Sequence, residues 1–201
     1  MSLLVVLERA RDLGFLGPGP LERHIDHAEG LVEPIQSRFG PDPELVALDL
    51  GSGGGLPGLV LALRFPRTRW CLLDANLRRT EFLVEAVDTL QLGDRVVVDR
   101  ARAEVAAGDA DRRERYQLVT ARSFGPPAVT AECAVPFLVP RGYLMVSEPP
   151  DHDAERWPPD GLASLGLRLD AAGPWVVLQR EGPLPHHLPR REGQAAKRPA
   201  W

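Results

Sequence analysis

Hydrophobic and polar residues form short apolar runs, separated by segments whose apolar residues recur at helical spacing. The apolar runs predict strands over residues 45–50, 69–73, 96–98, 116–120, 143–147, 167–171 and 175–179. The intervening segments predict helices over residues 3–13, 21–39, 59–63, 77–90 and 126–138. A turn at Gly173-Pro174 indicates that the last two strands pair antiparallel. This order predicts an α/β fold, a doubly wound sheet with a reversed edge strand.

Breaks in this pattern divide the chain into three parts. The N-terminal helices end at Gly40-Pro41-Asp42-Pro43, so we expect residues 1–43 to form a helical cap in front of the sheet. Residues 44–187 carry the strands and form the main domain. Residues 188–201 form a C-terminal tail. A segment rich in proline and acidic residues, 148–161, is expected to be a loop with at most a short helix.

Charge is distributed unevenly between the tail and the rest of the chain. The 201 residues carry a formal net charge of −4, but the tail alone carries +3 and the remainder −7. A nucleic-acid-binding protein usually shows a basic surface, and here only the tail is basic. Any attraction to a nucleic acid is therefore expected to come from the tail cations, which are Arg190, Arg191, Lys197 and Arg198.

The composition argues against several other classes of protein. The apolar stretches are too short to span a membrane, and no basic residues precede the short N-terminal apolar run, as they would in a signal peptide. We therefore expect a cytoplasmic protein. Cys71 and Cys133 stand alone among apolar residues, and no Cys/His spacing is typical of a metal or iron–sulfur site. We expect two buried thiols and no bound metal.

The most informative stretch is the glycine-rich loop after the first predicted strand. Gly51, Gly53 and Gly55 alternate with other residues, and a helix follows. Strand, glycine loop and helix in this order bring the backbone close to a nucleotide-like ligand. A dinucleotide fingerprint requires glycine where this chain has Leu56, and the chain has no Gly-Lys-Ser/Thr of a P-loop.

The carboxylate of Asp49, at the end of the strand, narrows the choice of ligand. A carboxylate repels a pyrophosphate at short range and attracts positive charge. S-adenosylmethionine carries an ammonium and a sulfonium and no phosphate. We therefore predict that it is the cofactor and that Asp49, Gly51, Gly53 and Gly55 help to bind it. The alternative is a glycine-rich turn in some other α/β protein.

Four further residues follow predicted strands, where ligands bind in such sheets. Asp74 is expected to accept hydrogen bonds from both ribose hydroxyls; alternatively, or in addition, it caps the next helix. Ala103 and Glu104 are expected to meet the adenine, with the Glu104 carboxylate toward an exocyclic amine; alternatively Glu104 is solvated. Arg122 follows the fourth predicted strand, where the chemistry of such sheets usually takes place; alternatively it forms an ordinary salt bridge.

The segment 49–58, Asp-Leu-Gly-Ser-Gly-Gly-Gly-Leu-Pro-Gly, resembles the corresponding motif of the small-subunit ribosomal RNA methyltransferase G family. Segments 78–83, 102–104, 120–124 and 188–193 add to the resemblance, which covers most of the chain. It implies a class I methyltransferase, Rossmann-like in fold, with a small helical cap. It also implies methyl transfer from S-adenosylmethionine to N7 of a guanine in 16S ribosomal RNA, free or in the small-subunit particle. The cofactor contacts that it implies are Gly51, Leu56, Ala103, Glu104 and Arg122, with Asp74 on the ribose.

The implied reaction is consistent with the residues present. Guanine N7 has a free lone pair and no proton to lose, so positioning and electrostatics suffice without a general base. Arg122 is the residue that we expect to act in catalysis, by holding the cofactor or by donating a hydrogen bond to the guanine edge. Removing the tail is expected to weaken RNA binding and to leave cofactor affinity unchanged.

Two other functions stay open on the sequence alone. Glu148 stands where the family has lysine, and together with the acidic body it favours a methyltransferase of the same fold acting on a small molecule or a protein. The third possibility is a non-catalytic cofactor-binding protein. The sequence does not indicate the oligomeric state.

Overall fold

The computed structural model describes residues 2–149 and 154–201, and the chain forms two compact units, residues 2–101 and 102–201. The first unit begins with α1 (Leu3–Asp12), α2 (Leu21–Glu29) and α3 (Val32–Phe39). The prediction of one continuous helix over residues 21–39 is therefore wrong. Pro34 lies in the first turn of α3 and has no N–H with which to continue the hydrogen-bond ladder of α2.

The sheet of the first unit is parallel, with the order β3-β2-β1. Its strands are β1 (Val46–Leu50), β2 (Arg69–Asp74) and β3 (Val96–Arg100), and its connecting helices are α4 (Gly58–Arg64) and α5 (Leu77–Thr89). These bounds confirm the strand–helix alternation predicted from the apolar runs. Leu50 lies opposite Leu73, so the glycine loop and Asp74 begin at the same edge of the sheet.

An apolar cluster joins the N-terminal helices to the glycine loop. Leu7 of α1 and Leu21 and Ala28 of α2 are buried with Leu56 of the loop and Val60 of α4. Burying each leucine or valine side chain of this cluster stabilises the arrangement by roughly 1.5–3 kcal/mol. The helices α1 and α2 therefore pack against the glycine loop.

The second unit contains a mixed sheet with the order β4-β5-β7-β6. Its strands are β4 (Tyr116–Ala121), β5 (Leu138–Ser147), β6 (Leu167–Ala171) and β7 (Trp175–Arg180). The pair β4 and β5 is parallel, whereas β7 runs antiparallel to both β5 and β6. The predicted antiparallel pair at the end of the chain is confirmed. The helices are α6 (Ala103–Ala106), α7 (Pro127–Ala134), α8 (Pro159–Ser164) and α9 (Gln194–Lys197).

Two predicted boundaries in this unit are wrong. The helix expected to reach residue 138 ends at Ala134 and passes into a 3-10 turn, because Pro136 lacks the N–H that the ladder needs. The strand expected from residue 143 begins at Leu138, which pairs with Tyr116 before an irregularity in the register. Part of the predicted loop over 148–161 lies outside the described residues; the remainder includes a 3-10 turn at Ala154–Arg156 and the start of α8.

Candidate functional site

The glycine loop is hydrogen-bonded to the end of β2 within the first unit. The backbone N–H groups of Gly51 and Ser52 donate to the carbonyl oxygen of Leu73, at 2.8 and 3.0 Å. The next residue, Gly53, donates its N–H to Oδ2 of Asp74 at 3.0 Å. Sequence reasoning placed the loop and Asp74 at the same sheet edge, and the structure joins them by a direct hydrogen bond.

Asp49 supports the loop from inside the protein. Only 1% of its surface is exposed, and its Oδ2 accepts hydrogen bonds from Oγ of Ser52 at 2.6 Å and from the N–H of Gly58 at 3.2 Å. The carboxylate of Asp49 thus supports the loop, and its predicted contribution to cofactor binding stays a prediction. The side chain of Leu56, 5% exposed, likewise packs in the apolar cluster, which leaves its backbone for any ligand contact.

The loop glycines are required for two different reasons. Gly51, Gly53 and Gly55 all have positive φ, at 69°, 56° and 89°. A Cβ on Gly55 would overlap the side chain of Leu59, so the fold itself requires this glycine. A Cβ on Gly53 would meet nothing nearer than the carbonyl oxygen of Gly51 at 3.7 Å. The space beside Gly53 is therefore open to a ligand that approaches the backbone.

The carboxylate of Asp74 is held in place by its neighbours. Its Oδ1 accepts from the N–H of Asn76 at 2.8 Å, and Arg79 Nη1 lies 3.6 Å from Oδ2. Asn76, and not Asp74, caps α5 by accepting from the N–H of Arg79, so the capping alternative for Asp74 is wrong. A carboxylate has about four lone-pair positions, which leaves acceptors for ribose hydroxyls. The open space at Gly53 and this donor–acceptor set fit the ribose end of S-adenosylmethionine.

Three of the residues predicted to bind the cofactor lie in the second unit. Ala103 begins α6 and is buried, and Arg122 directly follows β4 and is half-buried. Glu104 is also half-buried, and its Oε1 accepts a hydrogen bond of 2.8 Å from the N–H of Gly193 in the tail. The side chain of Glu104 is thus more constrained than it would be if it were fully solvated. Sequence reasoning did not find Gly193, because no local pattern connects it to α6.

The four tail cations occupy different environments. Arg190 forms an ion pair with the buried Glu132 of α7, and the hydrogen bond between them raises the pKa of Arg190. Its positive charge is therefore compensated within the protein. Arg191, Lys197 and Arg198 are exposed. Of the four predicted substrate-binding residues, these three are free of a buried partner carboxylate in the described part of the chain.

Glu148, which stands where the family has lysine, is also neutralised internally. Glu148 is 6% exposed, and its carboxylate accepts hydrogen bonds from Nη1 of Arg156 at 2.7 Å and from Nε1 of Trp157 at 3.1 Å. A buried carboxylate with two donors projects little negative charge into the solvent. The substitution is therefore weaker support for a non-RNA substrate than the sequence alone indicated.

Solved structures of two methyltransferases share the fold of this chain. An O-methyltransferase family protein from Burkholderia thailandensis superposes with a TM-score of 0.53 at 12% identity, covering 80% of this chain and 58% of its own. The precorrin-6y C5,15-methyltransferase of Geobacter metallireducens superposes with a TM-score of 0.54 at 13% identity, covering 76% and 88%. The chain has the class I methyltransferase fold, as predicted.

Sequence comparison gives the family. A family model described as rRNA small subunit methyltransferase G matches residues 21–153, and the chain belongs to this family. The ribosomal RNA small subunit methyltransferase G of Rubrobacter xylanophilus is 32% identical, covering 98% of this chain and 80% of its own. That of Leuconostoc citreum is 33% identical, covering 76% and 68%. Membership confirms the predicted family and the prediction that the chain is a methyltransferase.

Among the residues that the structure describes, no helix is long and apolar enough to cross a membrane. Within residues 2–149 and 154–201, no three His, Cys, Asp or Glu side chains are grouped so that they could hold a metal ion.

Proposed function

We propose that this chain transfers the methyl group of S-adenosylmethionine to N7 of a guanine in 16S ribosomal RNA. The observation that carries the proposal is membership of the rRNA small subunit methyltransferase G family over residues 21–153. Two observations support S-adenosylmethionine as the cofactor: the open space beside Gly53, and the hydrogen bond from the N–H of Gly53 to Asp74. Such a substrate would place the protein in the cytoplasm, where ribosomes are assembled.

The residues of this chain would act by positioning and electrostatics. Asp74 would accept hydrogen bonds from the ribose hydroxyls, and Glu104 would accept one from the adenine amine. The loop backbone at Gly53 would lie against the cofactor. When bound, S-adenosylmethionine supplies an electrophilic sulfonium methyl group. Arg122 at the end of β4 would donate to the O6 acceptor of guanine and hold the base in line, as arginine commonly does. No side chain needs to remove a proton, because N7 carries none.

The thiol of Cys133 is unsuited to covalent catalysis. This matters for the type of base that the protein can methylate. Methylation of cytosine at C5 needs a nucleophilic cysteine. Burial, followed by the charges of Glu104 and Glu132, raises the pKa of Cys133 to about 12, so this thiol stays protonated at neutral pH.

We therefore expect Cys133→Ala to retain the methyl-transfer rate of the unaltered protein. The measurement is the initial rate of label transfer from S-adenosylmethionine, corrected for the folded fraction. A fall of several orders of magnitude would indicate a covalent mechanism and would contradict methylation at N7.

The exposed tail cations are expected to attract the RNA backbone. Each neutralised phosphate contributes roughly 0.7–0.9 to the slope of log affinity against log salt concentration. Replacing Arg191, Lys197 and Arg198 together by glutamine should therefore reduce this slope by about two to three. Point substitutions are preferable to truncation, because Leu188 and Ala195 of the tail are buried.

Filter binding of 16S RNA fragments between low and physiological salt measures that slope. Arg115→Gln, which removes an exposed arginine outside the tail, serves as the comparison and should change the slope little. An unaltered slope in the triple variant would remove the tail from RNA binding and would favour a small-molecule or protein substrate.

The proposal as a whole is tested by methyl transfer in vitro. Purified protein, labelled S-adenosylmethionine and either naked 16S RNA or small-subunit particles, both from cells lacking methyltransferase G, should yield labelled 7-methylguanosine after digestion. Calorimetry should also show binding of S-adenosylmethionine and none of NAD. Binding of NAD alone, or label confined to a different nucleoside, would contradict the proposal.

A further inference from the structure

The C-terminal segment 188–198 is packed onto α6 and α7 of the second unit. Leu188 and Ala195 are 3% and 1% exposed, and the carbonyl oxygen of Leu188 accepts a hydrogen bond from Arg113 at 2.9 Å. The segment therefore has a fixed path over the unit. Burial of two apolar side chains favours this path in water.

An ion pair anchors the segment to α7. Glu132 is 4% exposed, and Arg190 Nε donates to its Oε1 at 2.5 Å while Nη2 contacts Oε2. The same Nη2 also donates to the carbonyl oxygen of Arg198 at 2.6 Å, which joins the two ends of the short segment. A two-point arginine–carboxylate contact fixes orientation as well as distance.

Two residues beyond this anchor, the segment reaches α6. Arg102 Nε lies 3.3 Å from the carboxylate of Glu192, and the N–H of Gly193 donates to Oε1 of Glu104 at 2.8 Å. Gly193 has a φ of 71°, a conformation that glycine adopts without strain. Residues 190, 192 and 193 thus make three successive contacts with α7 and α6.

We infer that residues 190–193 form a clasp that positions the Glu104 carboxylate for the adenine amine of the cofactor. This inference rests on the proposed function, in which Glu104 meets the adenine. Gly193 engages one carboxylate oxygen and thereby restricts the rotation of the side chain, and Oε2 stays available to accept from the amine. Arg190 acts through the clasp and is a positioning residue, not a ligand of the cofactor.

The clasp changes what we expect of the tail. The sequence alone indicated that the tail and the cofactor are independent. If the clasp positions Glu104, loss of the Arg190 anchor lowers affinity for adenine-containing ligands and also lowers the preference for adenine over purine. If Arg190 were only a structural anchor, its loss would weaken the binding of the adenine ligand and of the purine ligand equally. The preference for adenine would then stay unaltered.

The test compares two ligands, S-adenosylhomocysteine and its analogue with unsubstituted purine in place of adenine. Calorimetry gives the dissociation constant of each ligand, and their ratio is the adenine preference. Glu104→Met should lower this preference about 10- to 100-fold, as expected for losing a hydrogen bond to a charged group. Loss of the clasp should lower it by about 3- to 10-fold, because Glu104 remains but is no longer held.

Removing the anchor requires a variant that still folds. Arg190→Gln leaves Glu132 buried and unpaired, which is strongly destabilising. The double variant Glu132→Leu/Arg190→Met replaces the whole pair by apolar side chains of similar size, an exchange that is often neutral for stability. Arg115→Gln, an exposed arginine of the same unit, is the matched control for loss of a positive charge.

The outcomes separate the inference from the function on which it rests. A reduced adenine preference in Glu104→Met and in the double variant, with the control unaltered, supports the clasp. A reduced preference in Glu104→Met alone overturns the clasp and leaves the proposed adenine contact in place. An unaltered preference in Glu104→Met overturns both the adenine contact and the clasp.

Discussion

Replacing Gly53 by valine is expected to weaken binding of S-adenosylmethionine by about 100-fold or more, while the protein stays folded. Gly53 has a φ of 56°, and a Cβ there would meet no protein atom nearer than 3.7 Å. The branched side chain would instead occupy the open space into which the cofactor must come. Isothermal calorimetry measures the loss of affinity, and thermal unfolding shows that the variant folds.

The control for this substitution must separate backbone strain from loss of the binding space. Gly14 also has a positive φ, 73°, and a Cβ there would have nothing within 4 Å, but it lies outside the loop. Gly14→Val should therefore lose comparable stability and keep its affinity for the cofactor. Equal affinity in the two valine variants, both folded, would show that the glycine loop is not the binding site.

Replacing Asp74 by alanine is expected to weaken binding of S-adenosylmethionine by about 10- to 100-fold. The substitution removes the acceptors for the ribose hydroxyls and leaves the N–H of Gly53 without its partner at 3.0 Å. Gly53 is half-buried, so water can partly replace this acceptor, and losing the hydrogen bond costs about 0.5–1.5 kcal/mol of folding stability. Affinity is therefore measured at a temperature where both proteins are fully folded.

A ligand that lacks the ribose hydroxyls identifies the contact. The dideoxyribose analogue of S-adenosylhomocysteine should bind the unaltered protein weakly, and Asp74→Ala should bind it no more weakly than that. Asp94→Ala removes an exposed carboxylate from the same unit and should behave as the unaltered protein. If Asp74→Ala weakened both ligands to the same extent, Asp74 would hold the loop without contacting the ribose.

Local patterns were sufficient to predict which neighbouring residues of the candidate site lie at one edge of the sheet. The apolar run before Gly51 predicts β1, and the three alternating glycines predict a loop that a ligand can approach. Asp74 follows an apolar run in the same way, so its place at the sheet edge was predictable from strand order. The role of Asp49 was not, because only burial shows that its carboxylate turns into the loop.

Contacts between distant positions could not be predicted from these patterns. Glu132 and Arg190 are 58 residues apart, and Glu104 and Gly193 are 89 residues apart. In neither pair does the local sequence around one residue indicate its partner. The basic tail predicts four cations that bind RNA, whereas the fold pairs one of them, Arg190, with the buried carboxylate of Glu132. The break between α2 and α3 was missed for a different reason, since Pro34 lies within an otherwise helical apolar pattern.

The central claim is tested most directly by the methylation state of 16S RNA in cells. A strain lacking methyltransferase G is complemented with this chain, and its 16S RNA is treated with borohydride and aniline, which cleave at 7-methylguanosine. Primer extension should then stop at a single guanine with the unaltered chain and should not stop with Gly53→Val. Absence of any stop, from an expressed chain that binds S-adenosylmethionine, would contradict methylation of guanine N7 in this RNA.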